Sequence, residues 1–120
     1  METVQHYLDG REVVGTSGRF GPIFDPASGV EQARVALGSA FEADAAVSSA
    51  AAAFPLWRST PLARRSEILF RFREILASRR DELARILTSE HGKVLSDAVG
   101  EVSRGLENVE FACGIPQLLK

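Results

Sequence analysis

Cysteine, methionine, tryptophan and tyrosine each occur once in the 120 residues. A lone thiol, Cys113, cannot close an internal disulfide. The opening residues METVQHYLDG hold neither a basic stretch nor an apolar core of the secretory kind. Both features point to a reducing, cytoplasmic setting. The longest uncharged, largely apolar run, AAVSSAAAAFPLW from Ala45 to Trp57, is too short for a bilayer and is broken by serines and a proline. No membrane span is expected. Positive charge is not in excess either, because 14 Lys and Arg face 16 Asp and Glu, and nucleic acid or an anionic lipid surface finds no field to hold it. His6 and His91 stand alone, without a second ligand three or four residues away, so no metal site is expected.

What is present falls into two compositions, with the change near Gly38. Residues 1–38 are rich in Gly, Pro, Val and turn formers, and residues 39–120 in Ala, Leu, Arg and Glu. In HYLDGREVV, Asp9-Gly10 separates two short β-prone segments and readily takes the positive φ angles of a two-residue hairpin turn. In IFDPASGVEQARVAL, the turn Asp25 to Gly29 precedes partial alternation, and a second extended pair is predicted. The second half opens on a capping box, in which Ser39 and Glu42 exchange hydrogen bonds at a helix N-terminus. This first helix runs through the Ala-rich packing face and ends around Pro55 to Trp57. Thr60 as N-cap and Pro61 in the first turn start another, with Leu62, Ile68, Leu69, Phe72, Ile75 and Leu76 on one face. Helical pattern continues over Asp81 to Ser89, with Leu83, Ile86 and Leu87 inward, until Gly92 stops it in the left-handed conformation. A last helix begins near Ser96. The fold expected for this stretch is mostly α-helical with an N-terminal β-hairpin region.

Motif by motif, little chemistry survives. His91-Gly92-Lys93 lacks the partners of a phosphate loop, since Leu87 and Val94 stand where a Gly and a Ser or Thr are needed; it reads as a helix stop. GTSGRFG, Gly15 to Gly21, lacks the strand-to-helix setting of a dinucleotide fingerprint and reads as a flexible turn. Cys113 lies near a helix C-terminus, where the dipole disfavours a thiolate, and continues the seam Val102, Leu106, Val109. It reads as a small buried hydrophobe. The carboxylate pairs Glu42/Asp44 and Glu107/Glu110 read as solvated helix charge. No catalytic residue is assigned.

In GEVSRGLENVEFACG, Gly100 to Gly114, Arg104 points about 160 to 200 degrees away from Val102 and Leu106 around the helix. Glu101 and Glu107 lie three residues to either side, so a surface ion-pair ladder would account for it. The following Gly105 is what such a ladder leaves unexplained. A glycine costs roughly 1 kcal/mol in a helix interior and is better tolerated where a backbone or ligand must come close.

The ordered set Asp25-Pro26-Ala27-Ser28-Gly29, Trp57, Arg64-Arg65, Glu82-Leu83-Ala84 and Glu90-His91-Gly92-Lys93 closely resembles the N-terminal region of the aldehyde dehydrogenase superfamily. Within it, GEVSRGLENVEFA resembles the CoA-acylating methylmalonate-semialdehyde dehydrogenase branch. The resemblance implies a longer α/β enzyme, with residues 39–120 forming the helical part of an incomplete dinucleotide-binding domain. It implies NAD as cofactor, bound outside this segment, and CoA as co-substrate. The reaction would oxidise a carboxylated aldehyde through a cysteine thioester and release an acyl-CoA after loss of CO2. A guanidinium binds a carboxylate with two parallel hydrogen bonds. Arg104 is therefore the expected anchor of the substrate carboxylate, with Gly105 leaving room beside it. Cys113 does not match the nucleophile of that family, and the chain alone is expected to be inert. Its uncovered seams are expected to drive self-association. Two other readings remain open here: a non-acylating aldehyde dehydrogenase that shares the Arg-Gly pair, and a freestanding helical interaction module.

Overall fold

A computed structural model describes residues 1–119; Lys120, the last residue of the expected helical region, lies outside the described residues. Five strands precede four α-helices and a closing 3-10 turn. The chain separates into two compact units, Met1–Ser59 and the residues from Thr60 onward.

In the first unit, β2 (His6–Leu8) and β3 (Arg11–Val13) pair antiparallel. Asp9 at φ 53° and Gly10 at φ 74° form the turn between them, the doubly positive geometry that matches strand twist. The Tyr7 hydroxyl donates to the carbonyl of Gly10 at 2.8 Å, which locks the turn from outside. β4 (Phe20–Phe24) and β5 (Glu31–Ala36) form the second antiparallel pair. Their connection is built on Asp25, whose Oδ1 accepts from the Ala27 N–H at 2.9 Å and whose Oδ2 accepts from the Ser28 hydroxyl at 3.0 Å. Gly29, at φ 72°, then returns its N–H to the Asp25 carbonyl at 2.7 Å. Asp25, Ala27, Ser28 and Gly29 thus each take part in closing the turn.

One pairing has no counterpart in the sequence reading. β1 (Glu2–Val4) lies parallel to β5, with Thr3 opposite Arg34, so β5 is the centre of a three-stranded sheet ordered β1-β5-β4. The segment from Gly15 to Gly21 is also more firmly held than a flexible turn. Ser17 donates to the carbonyl of Leu37, Arg19 Nη2 donates to that of Gly38 at 2.8 Å, and Gln5 Oε1 accepts the Gly15 N–H at 3.0 Å. A Cβ on Gly15 would meet Ala36 Cβ at 2.8 Å. Close packing, not ligand binding, is the reason for that glycine.

Helix α1 (Ala40–Ser59) starts on the expected box. Ser39 donates its N–H to Glu42 Oε2 at 2.7 Å, and the Glu42 N–H returns to Ser39 Oγ at 3.2 Å. It runs on past Pro55 to Ser59, slightly beyond the expected end, because a proline removes one intrahelical bond without preventing the flanking turns from closing. No residue of α1 is buried, and Phe41, Val47, Leu56 and Trp57 stand open on it. Only Glu42, Ala46 and Ser49 are half-buried, and the rest of the Ala-rich run is exposed.

The second unit is a helical cluster. α2 (Leu62–Ser78) has Pro61, not Thr60, at its N-cap position, a one-residue difference of the kind that helix ends commonly show. α3 (Arg80–His91) follows a break at Arg79 and ends at Gly92, at φ 84°. α4 (Leu95–Cys113) packs against both α2 and α3. Small residues make this approach possible, since Ala84 on α3 and Ala98 on α4 are fully buried and Ser66 on α2 nearly so. Arg73 ties α2 to α4 by placing Nε at 2.9 Å and Nη2 at 2.6 Å from Glu110 Oε1.

The inward face of α2 differs from the one read off its spacing. Leu62, Arg65, Ser66, Leu69, Arg73, Leu76 and Ala77 are the covered positions, while Ile68, Phe72 and Ile75 are each about half exposed. Ile86 on α3 is likewise half exposed rather than inward. A helix with apolar residues on more than one stripe cannot declare which stripe its nearest neighbour takes.

Candidate functional site

Arg104 sits in the middle of α4, exposed, on the side opposite the covered seam of Val102, Leu106, Val109 and Cys113. The ion-pair ladder that its spacing allows does not form: among the described residues no carboxylate lies within ion-pair distance of its guanidinium. Glu101 turns instead to Lys93, whose Nζ donates to Glu101 Oε2. That contact pulls the Glu101 carboxyl below its ordinary value, first through the Lys93 hydrogen bond and charge and then through the weaker fields of Arg104 and His91. Neither Glu107 nor Asn108 neutralises Arg104; Asn108 Nδ2 donates to its backbone carbonyl at 2.9 Å. The guanidinium lies back along the helix, so that a Cβ on Gly100 would meet Nη1 at 3.8 Å. At the next position along the helix, a Cβ on Gly105 would meet nothing within 4 Å. A guanidinium without an ion-pair partner, lying over the side-chain-free Gly100, is suited to a planar anion that arrives from outside the described residues.

The other candidates resolve into structure. Cys113 is 7% exposed at the end of α4 and borders an open cleft with Ser66, Phe70, Glu110 and Pro116. The one carboxylate there, Glu110, is taken by Arg73, so the thiol has no free base. Gly92 stops α3 in the left-handed conformation, its N–H donating to the Thr88 carbonyl at 2.8 Å. Glu42 is not the solvated charge its position suggested: its side chain is 12% exposed. Oε1 accepts from the Thr16 N–H at 2.6 Å and hydroxyl at 3.1 Å, and His6 Nε2 stands 3.6 Å away. Its carboxyl is lowered to about 2, chiefly by the backbone N–H groups of Thr16 and Ser39 and then by the Ser39 hydroxyl.

No dinucleotide cradle fits these residues. The strand-to-helix turn from β5 through Leu37, Gly38 and Ser39 into α1 has the form that anions favour, but its helix N-terminus is filled by the chain's own Glu42 carboxylate. No group of three or more metal-ligating side chains occurs among the described residues, and none of their helices is long and apolar enough to cross a membrane.

Sequence spacing offered Arg104 a partner in Glu101 and missed the Lys93–Glu101 contact. That pair crosses the turn between α3 and α4, and its geometry follows from the Gly92 conformation rather than from helical periodicity.

Residues 13–120 match the aldehyde dehydrogenase family. Malonate-semialdehyde dehydrogenase 3 of Geobacillus kaustophilus is 48% identical over 118 residues, covering 98% of this chain and 24% of that protein. The malonate-semialdehyde dehydrogenase of Pseudomonas aeruginosa is 41% identical over 120 residues, again with 24% of its length covered. Among solved structures, a methylmalonate-semialdehyde dehydrogenase from Sinorhizobium meliloti, described as putative and complexed with NAD, matches the whole chain at 47% identity and a TM-score of 0.95, over 24% of its own chain. The methylmalonate-semialdehyde dehydrogenase of Oceanimonas doudoroffii gives 43% and 0.95 over the same shares. The chain thus spans about a quarter of the length of these relatives. In sequence and in backbone alike, it belongs to the aldehyde dehydrogenase family.

Proposed function

We propose that this chain is part of an NAD-dependent, CoA-acylating dehydrogenase that converts malonate or methylmalonate semialdehyde to acetyl-CoA or propanoyl-CoA with loss of CO2. Within it, Arg104 anchors the substrate carboxylate and Gly105 leaves the space in which that carboxylate lies. The observation that carries this reading is the Arg104 guanidinium, which makes no ion pair with Glu101 or Glu107 among the described residues and lies over the side-chain-free Gly100. Relatives named for malonate semialdehyde and methylmalonate semialdehyde support the substrate class. A solved relative complexed with NAD supports the cofactor.

The residues in hand supply substrate binding and no bond-making group. NAD supplies hydride acceptance when bound, and its binding surface and the reacting thiol belong to other parts of the enzyme. Arg104 contributes orientation. Two parallel N–H···O bonds fix both the position and the plane of a carboxylate, which a lysine ammonium does not do.

The test is product identity. Purified complete enzyme given malonate semialdehyde, NAD and CoA should form NADH, CO2 and acetyl-CoA in equal amounts, with turnover falling when CoA is withheld. Malonate as the product, formed at a rate indifferent to CoA, would overturn the acylating assignment.

A further inference from the structure

Glu101 precedes Arg104 by three residues on α4, the separation at which helical side chains meet, and the acid-first order is the favourable one along a helix. Arg104 reclines toward the N-terminal end of α4, over Gly100, so the turn that carries Glu101 is the turn its guanidinium reaches. The pair nevertheless does not form. Lys93 occupies the Glu101 carboxylate instead. It is placed to do so by the left-handed Gly92 turn that separates α3 from α4, and its side chain is only 21% exposed. The remaining charged neighbours do not replace it: His91 lies at the end of α3, and Glu107 stands on the less favoured side of Arg104, with no ion pair among the described residues.

We propose that Lys93 is a positioning residue that keeps Arg104 available to the substrate carboxylate by holding Glu101 away from it. The proposal rests on the assignment of Arg104 given above. Loss of the Lys93 ammonium frees Glu101 to swing to Arg104, and the internal carboxylate then competes with the substrate's.

The experiment compares variants of the complete enzyme on malonate semialdehyde and on propanal, which has no carboxylate. Lys93→Met should raise KM for the semialdehyde about two- to fivefold, the factor that corresponds to an exposed ion pair, with kcat and the propanal KM unchanged. Lys93→Arg should behave as wild type. Lys93→Met combined with Glu101→Gln should restore the wild-type KM, because the competitor is gone, and Glu101→Gln alone should leave KM unaltered. Equal changes on both substrates, failure of the double variant to restore KM, or a raised KM in Glu101→Gln would overturn the proposal; the last outcome decides the matter even if Lys93→Met does not fold. A flat response to Lys93→Met while Arg104→Ala still discriminates between the substrates removes the role of Lys93 alone. A non-discriminating Arg104→Ala removes the reading beneath it.

Discussion

Thr16 donates its backbone N–H to Oε1 of Glu42 at 2.6 Å, joining a loop to the first turn of α1 across 26 residues of sequence. The other carboxylate oxygen is held by Ser39. These donors lower the Glu42 carboxyl from its ordinary 4.5 to about 2. A depressed folded-state value stabilises the fold wherever the unfolded group would be ionised, so the contribution is complete above about pH 4.5 and disappears as pH falls through about 2. Glu42→Gln should lower the melting temperature at pH 7 and flatten its fall over that acid window, as followed by circular dichroism. Parallel melting curves for both proteins from pH 7 to 2 would contradict this.

Two glycines should respond in opposite directions to alanine. Gly92 holds φ 84° at the end of α3, and Gly92→Ala should cost about 1 kcal/mol. Gly105 lies in a helix interior with open space around its Cα. Gly105→Ala should stabilise by up to about 1 kcal/mol while weakening semialdehyde binding in the complete enzyme. Chemical denaturation read beside KM separates the two effects.

Apolar surface left open on α1 and α2 should make the 120-residue chain self-associate. Phe72 and Ile75 lie about half exposed on one stripe, and Phe41 and Leu56 are more open still. Patches of this kind mark surfaces that pair. Light scattering at micromolar concentration should report a dimer or a larger species, and replacing Phe72 and Ile75 by serine should shift it toward monomer. A monodisperse monomer that binds no hydrophobic dye would exclude this.

Local chemistry was legible in the sequence and relations between distant segments were not. Asp9-Gly10, the DPASG turn, the Ser39-Glu42 box and Gly92 each act through neighbours a few residues away, and each stands where its residues require. The β1–β5 pairing joins strands of three and six residues, too short and too far apart for alternation to announce. The face of α2 was ambiguous because Ile68, Phe72 and Ile75 compete with Leu62, Leu69 and Leu76 for the same neighbour. For the site, spacing placed Arg104 off the seam but offered it Glu101 as a partner. Only the turn at Gly92, which delivers Lys93 to that carboxylate, shows why the guanidinium stays free.

The central claim is that Arg104 binds the carboxylate of the substrate, and the ratio of kcat/KM for malonate semialdehyde to that for propanal measures it most directly. In the complete enzyme Arg104→Ala should lower this ratio about tenfold to hundredfold, the loss that goes with a hydrogen-bonded charge, and Arg104→Lys should recover only part of it. A ratio unchanged by Arg104→Ala, with both substrates losing equally, would contradict the account.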